Sequence, residues 1–541
     1  MTLERESNLK RYDMANKNIL LIEPGYKNKY PPLGLMKIAA YHGPFGKRDT
    51  VKFVKGEGDR SVLNTVWDRI YVTSLFSFEW KTISEAIDWA LIVSQRQPSK
   101  VFVGGIAASL MHSAYQAEPK WRGIRFIKGL LSQPPATALQ LDDVSEELYS
   151  EDIASTPIED LIPDYSILDQ IGSQYRYPVH DAYFAYASRG CVRKCHFCGV
   201  PKLEGAQRDA ASLTDLVHGI DNRYGPRRDL MLMDNNVAAS ANYRNIIAEI
   251  RDLGFIRGAM FKRPGMRTAV QRRVDFNQGV DARILTKDKM YLQEMSTICL
   301  KPLRIAFDNI GYRKVYEQSI RFAHEFGLDE LSNYMLYNFH DNPADLYARM
   351  RLNIDLNEEL GIRIFSFPMR YQPTDLKDRS HIGENWNRLY LRSMQTILQA
   401  THGIVSGSPD FFRRAFGESE DAFAELLSRP ERFLFNRVWY EDLGGKAEFE
   451  QYQTEWKSLA QSERGEVIGL ISSSRPAQFT TLLSQASSTK VASMLRWYVP
   501  IPKDDEAKIW ARVREQRLPT PLAASIPDDE LVEDAGLAEV A

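Results

Sequence analysis

Cysteine is scarce in this chain: four residues in 541. That excludes a disulfide-stapled secreted scaffold. No run approaches the ~18 consecutive apolar residues that a membrane-spanning helix needs. The first 17 residues, MTLERESNLKRYDMANK, hold no apolar stretch of the signal-peptide kind. Neither sign of charge dominates, with 69 Lys and Arg against 71 Asp and Glu. The balance removes any global reason for a nucleic-acid coat or an anionic membrane partner, while a local basic patch remains open. Together these absences predict a cytoplasmic, reduced protein with no membrane partner, whose thiols are available to metal.

What is present is a soluble composition, 44% hydrophobic and 26% charged, and a length sufficient for two to four domains. Strands and helices alternate in the first segment. NILLIEP (18–24), RIYVTSLFSF (69–78) and KVFVGG (100–105) read as strands, and GLMKIAAYHG (34–43) and TISEAIDWALIVSQRQ (82–97) as helices. This predicts a Rossmann-like parallel sheet over 17–130. Gly104-Gly105 reads as a tight turn or a close approach to ligand. Residues 131–180, rich in Pro, Ser, Asp and Glu, read as a linker.

From 181 to 375 the alternation resumes six times. Strands are predicted over 182–190, 229–236, 274–284, 303–309, 333–339 and 362–371, with helices near 212–223, 242–253, 286–297, 312–326 and 343–360. Each strand turns polar at its C-terminal end, where Asp234, Asn235, Asn236, Gln278, Asp281, Arg283, Asp308, Asn309, Asn338, Arg370 and Tyr371 stand. In a parallel barrel those ends share the face that carries chemistry. Six units predict an α/β fold with an incomplete (β/α)6 TIM-type barrel, open on one side. A helical region over 376–518 is expected to cover that side or bind substrate, and an acidic flexible tail follows at 519–541. The loop RGAMFKRPGMRTAVQRR (257–273) is basic with no acidic residue and is expected near the barrel mouth, either as a solvated loop or as an anion or RNA contact.

Three of the four cysteines crowd into SRGCVRKCHFCGVP (188–201), as Cys191, Cys195 and Cys198. Three thiolates at this spacing suit structural zinc or an iron–sulfur cluster. Zinc motifs usually offer two ligand pairs. Here Cys299 is about 100 residues away, near the start of a strand on the opposite face, and His196 is cramped inside the triplet. The triplet therefore reads as three ligands with one position open, the mark of a reactive centre.

C-V-R-K-C-H-F-C, with Phe197 before the last cysteine, following the first strand of an incomplete barrel, resembles the radical S-adenosylmethionine (SAM) superfamily. The resemblance implies a [4Fe–4S] cluster on Cys191, Cys195 and Cys198, whose fourth iron chelates SAM. It implies one-electron cleavage of SAM to a 5′-deoxyadenosyl radical, with a flavodoxin- or ferredoxin-type reductant as partner. In that family the second strand ends in a Gly-Gly-Glu-like stretch that binds the SAM amino group. Asp234-Asn235-Asn236 stands there, and its oxygens can also accept ammonium protons. Gln278 and Asp281 would reach the ribose hydroxyls, Arg283 the SAM carboxylate, and Asp308 SAM or substrate. The 18–130 segment resembles the cobalamin-binding-like domain of one branch of the superfamily. However, none of the nine histidines has Asp two residues before it, which counts against a His-ligated cobalamin. Three readings stand: a radical SAM enzyme on an unknown substrate, a cobalamin-dependent radical SAM methyltransferase, and a zinc-stabilised RNA-binding or structural protein.

Overall fold

Asn18–Glu23, NILLIE, is apolar in its middle and buried along almost its whole length, as the central strand of a parallel sheet must be. In this computed structural model, which describes residues 16–57, 59–132, 157–263 and 265–515, it is β1. It is flanked by β2 (Thr50–Lys55) on one side and by β3 (Arg69–Ser74), β4 (Val101–Gly105) and β5 (Arg125–Phe126) on the other. All four pairings are parallel, in the order β2-β1-β3-β4-β5. The two strands beyond the three expected are both at edges. Thr50-Val51-Lys52-Phe53-Val54-Lys55 sets lysines between its apolar residues, and β5 is only two residues long. Helices α1 (Leu33–His42) and α2 (Trp80–Val93) connect the strands, and α2 buries Ile83, Ala86, Ile87, Ala90 and Val93, one helical face.

The end of the stretch expected as a linker is structured. Ile158, Tyr165, Ile167 and Ile171 are buried. The Gln170 amide accepts from Phe53 N–H at 2.9 Å and donates to Val51 C=O at 3.3 Å. It thus blunts the exposed edge of β2. Residues 133–156 of that stretch, and the acidic tail, lie outside the described residues. Gly104-Gly105 serves the turn. Gly105 has φ +102°, and a Cβ there would sit 2.4 Å from Ser74 O, while Ser74 Oγ bonds Gly104 O and Ala108 N–H. These elements belong to the first of two compact units, which takes the described residues of 1–26, 31–176 and 222–224.

The second unit holds Lys27–Tyr30, Tyr177–Asp221 and the described chain from Gly225. Its parallel strands are β6 (Ala182–Ala185), β7 (Asp229–Leu232), β8 (Val274–Phe276), β9 (Leu303–Arg304), β10 (Glu330–Tyr337) and β11 (Arg363–Arg370). They pair in parallel, in sequence order, as two three-stranded sheets. Only the isolated parallel bridges Val274–Leu300 and Val280–Ile305 join β8 to β9. The break falls where the strands are shortest, three and two residues. Helices α3 (Leu213–Tyr224), α4 (Tyr243–Asp252), α5 (Met290–Met295), α6 (Arg313–Glu325) and α7 (Pro343–Leu360) intervene. Helix α7 shows why they start and stop where they do. Asn342 and Asp345 form a capping box, Pro343 takes the first turn, and Gly361 ends the helix at φ +66°.

The edge of β11 is covered by the C-terminal region, through an antiparallel bridge between Ser366 and Val405 with bonds of 3.1 and 2.9 Å. Beyond it, helices run from Arg388 to Glu515 around an aromatic core that includes Phe433, Tyr440, Tyr452 and Trp456. No helix among the described residues is long and apolar enough to cross a membrane.

Arg349, fully buried on α7, locks two strand ends. It donates to Phe307 O at 3.0 Å and Leu336 O at 2.9 Å, and pairs with Asp341 at 2.9 Å. Removing one partner from such a network leaves carbonyls and a carboxylate unpaired. An Arg349→Met variant is expected to lose about 3–5 kcal/mol of stability, read as a lowered denaturation midpoint of the second unit.

Candidate active site

The cysteine loop is built from Ser188 onward. Ser188-Arg189 pairs antiparallel with Arg208-Asp209, closing a hairpin whose interior is the loop. Gly190 makes the turn at φ +76°, and a Cβ there would lie 2.2 Å from Ala206 O, so only glycine fits. The Cys191 N–H donates to Gly205 O at 3.3 Å and the Cys198 N–H to Cys195 O at 3.1 Å. The thiols are half-buried. Two sulfurs accept backbone N–H groups, Cys191 from Arg193 and Cys198 from Val200, each at 3.4 Å.

Burial pushes the Cys195 and Cys198 thiols up, and the neighbouring cysteines push them further. Three thiolates packed so closely need a cation to become the stable form. No three His, Cys, Asp or Glu side chains among the described residues converge on a single-ion position. A four-iron cluster makes a different demand, since each thiolate takes its own iron and the three need not meet at a point. The residues present fit such a cluster: three thiols, two of them already receiving the amide donors that tune cluster sulfurs.

Charged residues from other strand ends surround the loop. Arg193, inside the loop, donates to Asp281 at 2.6 Å, and Arg283 donates to the same carboxylate at 2.8 Å. Asp281 also caps the helical turn Ala282–Leu285 through Arg283 N–H. Burial opposes ionisation of Asp281, but the bonds from Arg283 and Arg193 outweigh it and hold the carboxyl below its usual range. Arg283 lies 4.7 Å over the Tyr312 ring. Asp308 receives Leu336 N–H at 3.0 Å, and burial lifts its pKa to about 6. Arg283, Asp308 and Asp281 all lie near enough to act on Cys195. The Phe197 ring meets Phe339 edge-on at 5.7 Å, and Phe339 meets Tyr371 at 4.6 Å.

The end of β7 divides its three polar residues. Asp234 is turned back on the loop lead-in, accepting Ala187 N–H at 2.9 Å, Ser188 N–H at 2.5 Å and Ser188 O–H at 2.6 Å. Burial still raises its pKa to about 6. Asn235 donates to Glu204 at 3.0 Å. Asn236 is 3% exposed, and its Oδ1 has no hydrogen-bond partner among the described residues. Gln278 is exposed. Asn309 caps the turn 310–312. Asn338, at φ +69°, holds Tyr371 O, His381 O and Gly383 N–H, and Arg370 donates to Arg379 O and His381 O.

The basic 257–273 loop is not at this mouth. It precedes β8 and lies at the N-terminal ends of the strands, as a helix-to-strand connection must in a parallel array. Arg257 and Arg272 are spent on backbone carbonyls, and Arg263 on Asp181 at 2.6 Å. Cys299 lies at the same end, its carbonyl accepting Val274 N–H. Two loop-shaping residues escaped the sequence reading. Glu204 accepts Gly190 N–H at 2.8 Å and Arg189 at 3.1 Å. It is the only acidic residue between Cys191 and Asp209, which was an available signal. Arg193 carried no signal apart from its place in the triplet.

Asp234→Asn leaves one acceptor oxygen where three donors converge, with an amide that itself donates. It is expected to cost about 1–3 kcal/mol and to lower the iron retained per chain after anaerobic reconstitution. Asp308 gives a pH signature. Its folded pKa near 6 lies above the ordinary carboxylate value. The folded state therefore holds a proton that the unfolded state releases between about pH 4 and 6. Stability falls as pH rises through that window, by up to about 3 kcal/mol. Asp308→Asn should flatten that slope in melting temperatures measured from pH 4 to 7.

No family model matches the sequence, and no curated protein matches it. Similar solved folds exist. One is the radical SAM methyltransferase TsrM from Kitasatospora setae with tryptophan and a SAM analogue, 14% identical, covering 67% of this chain and 76% of that one with a TM-score of 0.46. Another is the cobalamin-dependent SAM radical enzyme OxsB, 12% identical, covering 97% and 83% with a TM-score of 0.45. Both likenesses are distant and place no residue or reaction on this chain.

Proposed function

We propose that this chain is a radical SAM enzyme that cleaves SAM reductively at a [4Fe–4S] cluster held by Cys191, Cys195 and Cys198. The observation that carries the reading is the loop itself: three half-buried thiols at the end of the first of six parallel strands, with charged groups of the third and fourth strand ends around them. When bound, the cluster and SAM supply a 5′-deoxyadenosyl radical that takes a hydrogen atom from substrate.

The chain's own residues bind and orient. Arg193 and Val200 N–H groups offset thiolate charge. Arg283, braced by Asp281 and Tyr312, is placed to receive the SAM carboxylate. Asn236 Oδ1, buried and unpartnered, is the acceptor assigned to the SAM ammonium group. Asp234 and Asn235 are spent on the loop, so they support that site rather than line it. Phe197 and Phe339 form an apolar wall beside the last cysteine and exclude water.

A second reading, cobalamin-dependent methyl transfer, is favoured by the sheet order β2-β1-β3-β4-β5, which places a nucleotide-type crevice at the β1/β3 switch point. The residues there supply no histidine-ligated cobalamin site. No Asp-x-His pair exists, Tyr26 is buried against Phe76, and Gly105 is required by Ser74.

Anaerobic reconstitution with iron and sulfide, then reduction with SAM, is expected to yield a brown protein and 5′-deoxyadenosine, and Cys198→Ala should yield none. A colourless protein holding one zinc that never cleaves SAM would replace this reading with a structural clip.

A further inference from the structure

The C-terminal helices enclose a cavity of about 60 Å³. Its wall brings together the helix Arg388–Ala400, the link between the helices Glu420–Ser428 and Glu431–Phe435, and the stretch that follows the helix Thr489–Arg496. Pro430, Pro476 and Pro500 stand in that wall, and the fixed φ of each limits its collapse. A cavity of ~150 Å³ accepts benzene, so this one holds roughly three heavy atoms.

Arg392, Arg429 and Arg432 line it beside Phe479 and Trp497, and Glu431 is the acidic residue of the lining among the described residues. Two of the guanidinium groups are engaged elsewhere. Arg429 pairs with Glu425 at 3.3 Å and Glu441 at 3.2 Å, and Arg432 with Glu448 at 3.2 Å. Glu441 is shared with Arg437 at 3.2 Å. Arg392 differs. Its guanidinium lies 5.4 Å over the Phe479 ring, and no carboxylate or carbonyl among the described residues accepts a hydrogen bond from it. Burial lowers its pKa, because the exposed Glu431 attracts it without forming an ion pair. Arg388, four residues earlier on the same helix, repels it. Like charges at that spacing destabilise a helix unless an anion meets them.

We propose that this cavity binds the carboxylate head group of a small aliphatic acid on the Arg392 guanidinium, with the acid's apolar stem against Phe479 and Trp497. A planar fork of donors matches a carboxylate through two parallel bonds. The room available is that of a carboxylate, about three heavy atoms, and is short for a phosphate. The site is additional to the cysteine loop and rests on no part of the radical SAM reading.

The test is ligand-observed NMR titration of the full chain with propionate, at constant ionic strength in sodium chloride. One-site saturable binding is expected. Arg392→Gln should weaken it at least about tenfold, the loss of a charge-assisted bond. Glu431→Gln should strengthen it about twofold or more, since it removes the one like charge facing the ligand. A merely structural role for either side chain predicts no such opposite pair of changes. Circular dichroism checks each variant's fold, and if Arg392→Gln does not fold, the exposed Glu431→Gln decides. The proposal is overturned if propionate does not bind saturably, if Arg392→Gln binds it undiminished, or if Glu431→Gln brings no gain. It is also overturned if chloride or inorganic phosphate displaces propionate at equal concentration, which marks an adventitious ion only.

Discussion

The carboxylate of Asp234 is the constraint on which the site depends. It sits at the end of β7, almost wholly out of water, and gathers three donors from Ala187 and Ser188 at the end of β6. Those bonds, together with the pairing of Ser188-Arg189 against Arg208-Asp209, fix the direction in which the chain leaves β6. That direction sets Gly190, and Gly190 sets Cys191. Glu204 repeats the device one turn further on, holding Gly190 N–H, Arg189 and Asn235 together. A loop that holds its thiols half-open to solvent cannot be stabilised by burying itself. It is stabilised instead by carboxylates from beneath, each of which carries a desolvation cost offset by converging donors.

The same competition explains why three aspartates near the loop differ. Asp234 and Asp308 are both shifted up to about 6, because burial outweighs the donors each receives. Asp281 is shifted down, although it too is desolvated, because Arg193 and Arg283 both reach it. Those donors are themselves cations, so their Coulombic attraction adds to the hydrogen bonds and reverses the sign. Asp281 is thus a stable anion that positions two guanidinium groups, one from the loop and one from the third strand end. A cationic group aimed at the mouth costs less when a fixed carboxylate orients it.

Much of this was legible in the sequence. The six strand-helix repeats follow hydrophobic periodicity, which tertiary packing reinforces. The triplet spacing put three cysteines on one loop after the first strand of the second unit, where they stand. What was hidden had weaker or misleading signals. β2 alternates with lysines because it is an edge, so its apolar run is broken where a central strand's is not. The 157–176 stretch is polar overall yet buries four apolar side chains, so composition hid its packing. At β7, residue type marked Asp234, Asn235 and Asn236 as alike, but orientation alone separates two loop braces from a buried, unpartnered acceptor. The basic 257–273 loop was assigned to the wrong end by its chemistry, although its place before a strand assigned it correctly. Connectivity in a parallel array is the firmer guide, because every helix-to-strand link must fall at the N-terminal ends.

That rule also separates the two polar regions of the second unit. At the C-terminal ends the strands finish in loops, where side chains are held by a few specific bonds and remain accessible. At the N-terminal ends the strands begin in charged residues that pair closely, Asp275 with Arg304 of the neighbouring strand and Asp229 with the adjacent Arg228. Such pairs desolvate charge without great gain in stability. The fold gathers three thiols at one end of its strands and paired charge at the other, and the same six strands hold both in register.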